Sequence, residues 1–173
     1  DHVRKLVLRK GDEALVLDAA TVRHLQLLTA PGADKGESLL GVLDVSCTPM
    51  GARTMRSWAL APLARAGEIN ERLDEVTLFT ENRTTLTALR KALGPVRDVE
   101  RLIAKVDSGR ANARDIKALA SSLAPIPEIS SLLLCVGERM VSGRLINQTD
   151  VVSLVEKAIV DEPPALMTSG GYI

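Results

Sequence analysis

Aromatic side chains are nearly missing from this sequence: one Trp, one Tyr and one Phe make up 2% of 173 residues. A β-sandwich draws on such residues for its strands, so their scarcity favours helices packed on helices through Leu, Val, Ile and Ala. A net charge is missing too, since 22 Lys and Arg balance 22 Asp and Glu. A chain that holds DNA on its own usually carries a basic excess to neutralise phosphates, and this one does not. Only two cysteines occur, Cys47 and Cys135, far apart and without metal-ligand spacing. Two reduced thiols are expected of them rather than a disulfide. No apolar run approaches the ~18 residues of a membrane span, and there is no signal peptide, so a cytoplasmic protein without a membrane partner is expected. The chain starts at Asp1 without Met and closes on Gly170-Gly171-Tyr172-Ile173, so both ends read as cut from something longer.

Chemical signatures are equally scarce. His2 and His24 stand alone, with no second His or Cys at ligand spacing, so no zinc site is expected. His24, beside Leu25 and Leu27, reads as a partly buried structural histidine. There is no G-x-S-x-G elbow and no G-x-x-x-x-G-K-[ST] phosphate loop. The carboxylate pairs Asp98/Glu100 and Asp161/Glu162 are too close in sequence to face each other across a substrate. No catalytic, cofactor-binding or metal-binding residue is therefore assigned, and the segment itself is not expected to be an enzyme.

What is present is helical periodicity. Ile69, Leu73 and Val76 form an apolar stripe, as do Leu86, Leu89 and Leu93 before Gly94-Pro95. Val99, Leu102, Ile103 and Val106 complete the i, i+3, i+4, i+7 pattern before Ser108-Gly109. Ile116, Leu119, Ala120 and Leu123 repeat it before Pro125, then Ile129, Leu132, Leu133 and Val136, and finally Val152, Val155 and Ile159 before Pro163-Pro164. Ahead of these, Ala14–Leu17 reads as a brief strand or an extended lead-in, Asp18 as the N-cap of one or two helical turns, and Ser38 as the cap of Leu39–Leu43. Short connections make successive helices expected antiparallel neighbours. The fold expected is all-α, a multihelical bundle with a small mixed N-terminal lead-in.

Two stretches invite a functional reading. In Cys47-Thr48-Pro49-Met50-Gly51-Ala52-Arg53-Thr54-Met55-Arg56-Ser57-Trp58, free backbone N–H groups beside Arg53 could hold a phosphate. Thr48 at N-cap and Pro49 at N1 make a structural helix start the better reading, with Met50, Met55 and Trp58 on the buried side and Pro62 as the stop. Residues 90–117 carry eight Lys and Arg against four acids, and Arg97, Arg101 and Lys105 recur every fourth residue. That ridge lies roughly opposite the apolar stripe, and a solvated face explains it better than a track for DNA phosphates. Aromatics for stacking single-stranded bases are not interleaved with it.

The motifs taken in order carry a resemblance. Leu17-Asp18 through Leu27 resembles the L-D-x-x-T-x-x-N-L-E-L signature of MutS DNA mismatch-repair proteins, with His24 and Gln26 in place of Asn and Glu. Leu43-Asp44-Val45-Ser46-Cys47-Thr48-Pro49-Met50-Gly51-Ala52-Arg53 is similar to their L-D-x-T-x-T-x-M-G-x-R. Trp58 to Leu63 resembles W-L-x-x-P-L, Ile69 to Val76 resembles I-x-x-R-x-D-x-V, and Asp98 to Leu102 matches D-[LV]-E-R-[LI]. The resemblance implies the first half of the core or lever domain (domain III), with residues 1–45 its N-terminal part and 46–173 its helical part. It further implies a scaffold that relays conformational change between an ATPase and a DNA clamp. The clamp, connector and ATPase domains, the remaining core, and the residues that bind ATP and Mg would lie outside the segment. The parent would be a DNA-dependent ATPase that binds mismatched double-stranded DNA and a MutL-type partner and forms a homodimer. A homologue acting in recombination would share this domain, and an unrelated helical interaction module is the remaining alternative.

Overall fold

The computed structural model describes residues 14–29, 36, 38–137, 143–164 and 171. His2, most of the loop at 31–36 and most of the final 170–173 segment lie outside them. Among the described residues the regular structure is entirely α-helical, as expected: α1 Ala19–His24, α2 Leu39–Leu43, α3 Pro49–Leu60, α4 Ala66–Glu81, α5 Arg83–Leu93, α6 Val99–Asp107, α7 Ala113–Leu123, α8 Ile126–Cys135 and α9 Thr149–Ala158. Of the two readings of Ala14–Leu17, the structure has the extended lead-in, with one antiparallel bridge from Ala14 to Leu63 and Leu15 N donating to Pro62 O at 2.8 Å. Four extended residues without a longer partner strand cannot propagate a ladder.

Residues 1–46 and 51–77 form one compact unit, and residues 47–50 and 78–173 form another. In the first, the caps are those the sequence encodes. Asp18 accepts from Thr21 N at 2.7 Å, and Ser38 Oγ from Gly41 N at 3.0 Å. Gln26, just past α1, holds φ at +48°, a conformation usually left to Gly or Asn. Its turn is closed by Leu27 N on Val22 O, and buried Leu27 anchors it. α1 buries none of its residues, so His24 is exposed rather than partly buried. Trp58 is likewise not a buried anchor. It stays 44% exposed, with the Arg72 guanidinium stacked 3.7 Å from its ring centroid. Stacking of that kind keeps an aromatic face covered without removing it from solvent. The stripe Ile69, Leu73 and Val76 on α4 is also exposed.

The second unit holds the larger core. Ala92, Val96, Ile129 and Leu133 are buried together, and Met50, Phe79, Leu89 and Leu132 pack against them. α5 packs on α8, while α7 packs on both α6 and α9. Only α6 and α7 are thus neighbours in both sequence and space among these pairs, which corrects the expectation of successive antiparallel neighbours. Ala113 and Ala120, seven residues apart on α7, are 6% and 3% exposed. Small side chains at that spacing occupy one face and let another helix approach closely. Of the α6 stripe, Leu102 is buried but Ile103 and Val106 remain exposed. Gly109, at φ +67°, ends α6: its N–H donates to Val106 O and Arg110 N to Lys105 O, a closure that favours glycine.

The run Ala113–Cys135, which joins α7 and α8, is long and apolar enough by composition to cross a membrane. This amends the expectation that no stretch reaches that length. Within the second unit α7 packs on α6 and α9, and α8 on α5.

Replacing Leu133 by Ala deletes a side chain that is 6% exposed inside this cluster, and is expected to cost about 3 kcal/mol. Leu73→Ala, at a side chain 55% exposed, is expected to cost less than about 1 kcal/mol. Urea titrations of both variants check the contrast; equal losses would contradict the burial described.

Candidate functional site

α6 starts where the Asp98 carboxylate accepts from Arg101 N at 3.2 Å. That cap starts the helix that carries Arg101 and Lys105 on one face, and Arg97 lies just ahead of it to make a row of three. The base of the row is tied to α7. Ser122, 2% exposed, donates its hydroxyl to Ala118 O at 2.7 Å and accepts from Arg97 N at 3.0 Å. One buried hydroxyl thereby satisfies the backbone at the point where Arg97 emerges.

The far end of the row is tied to α7 by charge. Lys105 Nζ donates to Asp115 Oδ1 at 2.6 Å, with side-chain exposures of 39% and 16%. Asp115 also belongs to a reciprocal cap. Its Oδ2 accepts from Asn112 N at 3.2 Å, and Asn112 Oδ1 accepts from Asp115 N at 2.9 Å. The Lys105 hydrogen bond holds the Asp115 carboxyl below its ordinary value, helped by the Asn112 N–H and by the charges of Lys105 and Arg101, and opposed by burial.

On the other side of α7, Arg114 and Lys117 reach the segment that follows α9. Arg114 Nε donates to Pro163 O at 2.7 Å. Lys117 Nζ contacts Ile159 O at 3.3 Å and the Asp161 carboxylate at 2.9 Å. Two adjoining cavities result, and they share Arg97 and Ala118. One, of about 480 Å³, has Arg97, Arg114, Lys117, Asp161 and Glu162 in its wall. The other, of about 450 Å³, is lined by Arg97, Asp98, Arg101 and Lys105 among others. Arg97 and Arg101 are exposed and enter no ion pair with the described residues.

The structure therefore revises the reading of the basic ridge. Arg97 and Arg101 are on a solvated face as expected, but that face is one wall of a recess, and Lys105 is bonded to α7. Arg114, Lys117, Asp115 and Ser122 were not singled out from the sequence as members of one site. The Asn112-x-x-Asp115 spacing is a capping signature and could have placed Asp115. Ser122 and the two α7 cations carry no local signal, since their partners lie 25 to 49 residues away.

The other sequence candidates do not join this site. The stretch at 47–58 is a helix start, with Pro49 the first residue of α3 and Ala61 N closing on Ser57 O. Met50 and Met55 are half-buried there. Cys47 and Cys135 are free thiols. Among the described residues no group of three His, Cys, Asp or Glu side chains is placed to hold a metal ion. Among the described residues the recess gathers Arg97, Arg101 and Arg114, whose guanidinium groups are of the kind that pair with carboxylates and phosphates.

Because Asp115 has a depressed folded-state pKa, its contribution is complete above the ordinary carboxylate value and is lost as pH falls through the depressed one. Asp115→Asn is expected to cost about 1 kcal/mol at neutral pH, and the gap from the parent chain should close below about pH 4. Denaturant titrations from pH 7 to 2 measure this; a gap independent of pH would contradict it. Ser122→Ala leaves the Arg97 N–H without its acceptor and is expected to cost about 1–2 kcal/mol, where Ser131→Ala, at an exposed position, costs little. Thermal melts compare the two.

The family model described as MutS domain III matches residues 20–173. The chain is 38% identical to the DNA mismatch repair protein MutS of Acetivibrio thermocellus, over 99% of this chain and 20% of that relative. It is 36% identical to the protein of the same name from Salinibacter ruber, over 99% of this chain and 19% of the relative. For Shouchella clausii the values are 38%, 99% and 20%. The chain thus spans about a fifth of the length of the curated relatives it matches. A match running from within α1 to residue 173, on a chain whose described regular structure is all helical, shows that this chain belongs to the MutS domain III family.

Proposed function

We propose that the chain is the scaffold, or lever, of a DNA mismatch repair protein, and that it relays conformational change between an ATPase and a DNA clamp. The family match over residues 20–173 is the observation that carries this reading. A relay requires helices that move as bodies, with their packing intact between two arrangements of a larger assembly. The packing of α7 on α6 and α9, and of α5 on α8, suits such a body. Side chains that read a mismatch or hydrolyse ATP would belong to other parts of the longer protein, along with bound ATP and Mg. Mismatched duplex DNA, a MutL-type partner and homodimerisation are likewise proposed as properties of that protein. On this reading the segment is not itself an enzyme. The exposed stripe of Ile69, Leu73 and Val76 would be covered there by the remainder of the core.

The test is made in the longer protein. Ala120→Gly removes a buried methyl from α7 and softens the helix by about 1 kcal/mol without deleting a large side chain. The expected result is a several-fold fall in the ratio of mismatch-stimulated to basal ATP hydrolysis, with the basal rate unchanged. Basal and stimulated rates that fall together, or a ratio that does not move, would overturn the relay.

A further inference from the structure

The recess between α6, α7 and the residues after α9 is the part of the molecule that the relay leaves without a task. We propose that it is a docking groove for an acidic peptide segment of a partner protein, bound in extended form. The proposal stands on the groove alone and does not depend on the relay.

Charge complementarity is the first support. Arg97 and Arg101 are exposed and lack ion pairs among the described residues; Arg97 lines both cavities of the groove and Arg101 lines one of them. A guanidinium presents a planar fork that receives a carboxylate through two parallel hydrogen bonds. Arg114, whose Nε donates to Pro163 O, adds a third guanidinium to the wall of the groove. Lys105 and Lys117 are already paired, to Asp115 and Asp161, and serve as walls rather than as hooks.

Spacing is the second. Arg97 lies just ahead of the N-cap of α6 and Arg101 in its first turn, and both are in the wall of one cavity. Alternate side chains of an extended peptide project from one face about 6.6 Å apart. An extended segment with an acidic residue at every second position presents one carboxylate to Arg97 and another to Arg101.

Composition of the walls decides between ligand classes. Asp98, Asp161 and Glu162 also line the groove. A nucleic-acid backbone places a phosphate on every nucleotide and would meet these carboxylates with repulsion, whereas a peptide can set a neutral or basic residue opposite them. No aromatic residue is among the lining, so unstacked bases would have no platform. The balanced charge of the chain argues in the same direction, because a phosphate track relies on a basic excess.

Fluorescence anisotropy on the 173-residue chain tests this, with a fluorescein-labelled dodecapeptide of alternating Glu and Ser as the probe. Saturable binding that weakens with added salt is expected. Arg97→Ala combined with Arg101→Ala should weaken it about tenfold. Arg97→Lys combined with Arg101→Lys, which keeps the charge but loses the fork, should weaken it by about threefold. Arg56→Ala, at an exposed position on α3, should leave it unchanged. Circular dichroism confirms that each variant is folded, and the Lys pair keeps the test decisive if the Ala pair is not. An affinity unaffected by both pairs, or no saturation up to millimolar peptide, would overturn the proposal. So would a single-stranded dodecanucleotide that binds more tightly than the peptide and loses affinity in the same variants.

Discussion

Close approach of helices at α7 is the constraint on which the larger unit depends. With three aromatic residues in the chain, bulk cannot fill wide gaps between elements, and the helices must come near one another instead. Ala113 and Ala120 permit this on the face of α7, and Ala92 does the same on α5 within the core cluster. α7 is then contacted from two sides, by α6 and by α9. Its polar positions acquire partners as a consequence, because backbone groups and charges of the neighbouring segments are brought within hydrogen-bonding distance.

That consequence explains how a chain of zero net charge comes to have a cationic recess. The acids and bases are equal in number but not in placement. Asp115 is held by the cap of α7 and by Lys105, and Asp98 is held by the first turn of α6. Arg97 and Arg101 are left facing the groove without such a partner. The carboxylates of Asp98 and Asp115 are instead engaged in starting helices, a role that uses their oxygens on backbone N–H groups.

Helix locations were legible before the structure because they depend on short-range chemistry. Asp18 and Ser38 cap where an acceptor side chain precedes an apolar run, Gly94-Pro95 and Ser108-Gly109 end helices, and periodic stripes run between them. The collinear motifs identified the family for the same reason: each is a local pattern, and five in order are specific. Burial was less legible. Both α4 and α6 carry an apolar stripe, yet Leu102 is buried while Ile103 and Leu73 are 53% and 55% exposed. Trp58, marked as an anchor by its hydrophobicity, is covered on one face by Arg72 and otherwise open. Periodicity states which residues share a face and not whether another element covers it.

The sequence by itself determined the helices, their caps and the family, since those follow from residues within a few positions of one another. Only the tertiary structure decided which helices touch, and through that which charges remain unpaired. Ser122 meets Arg97 across 25 residues, Arg114 meets Pro163 across 49, and Lys117 meets Asp161 across 44. Contacts at such separations are set by how helices pack on α7, and packing depends on the shape of every surface in the unit rather than on any local pattern.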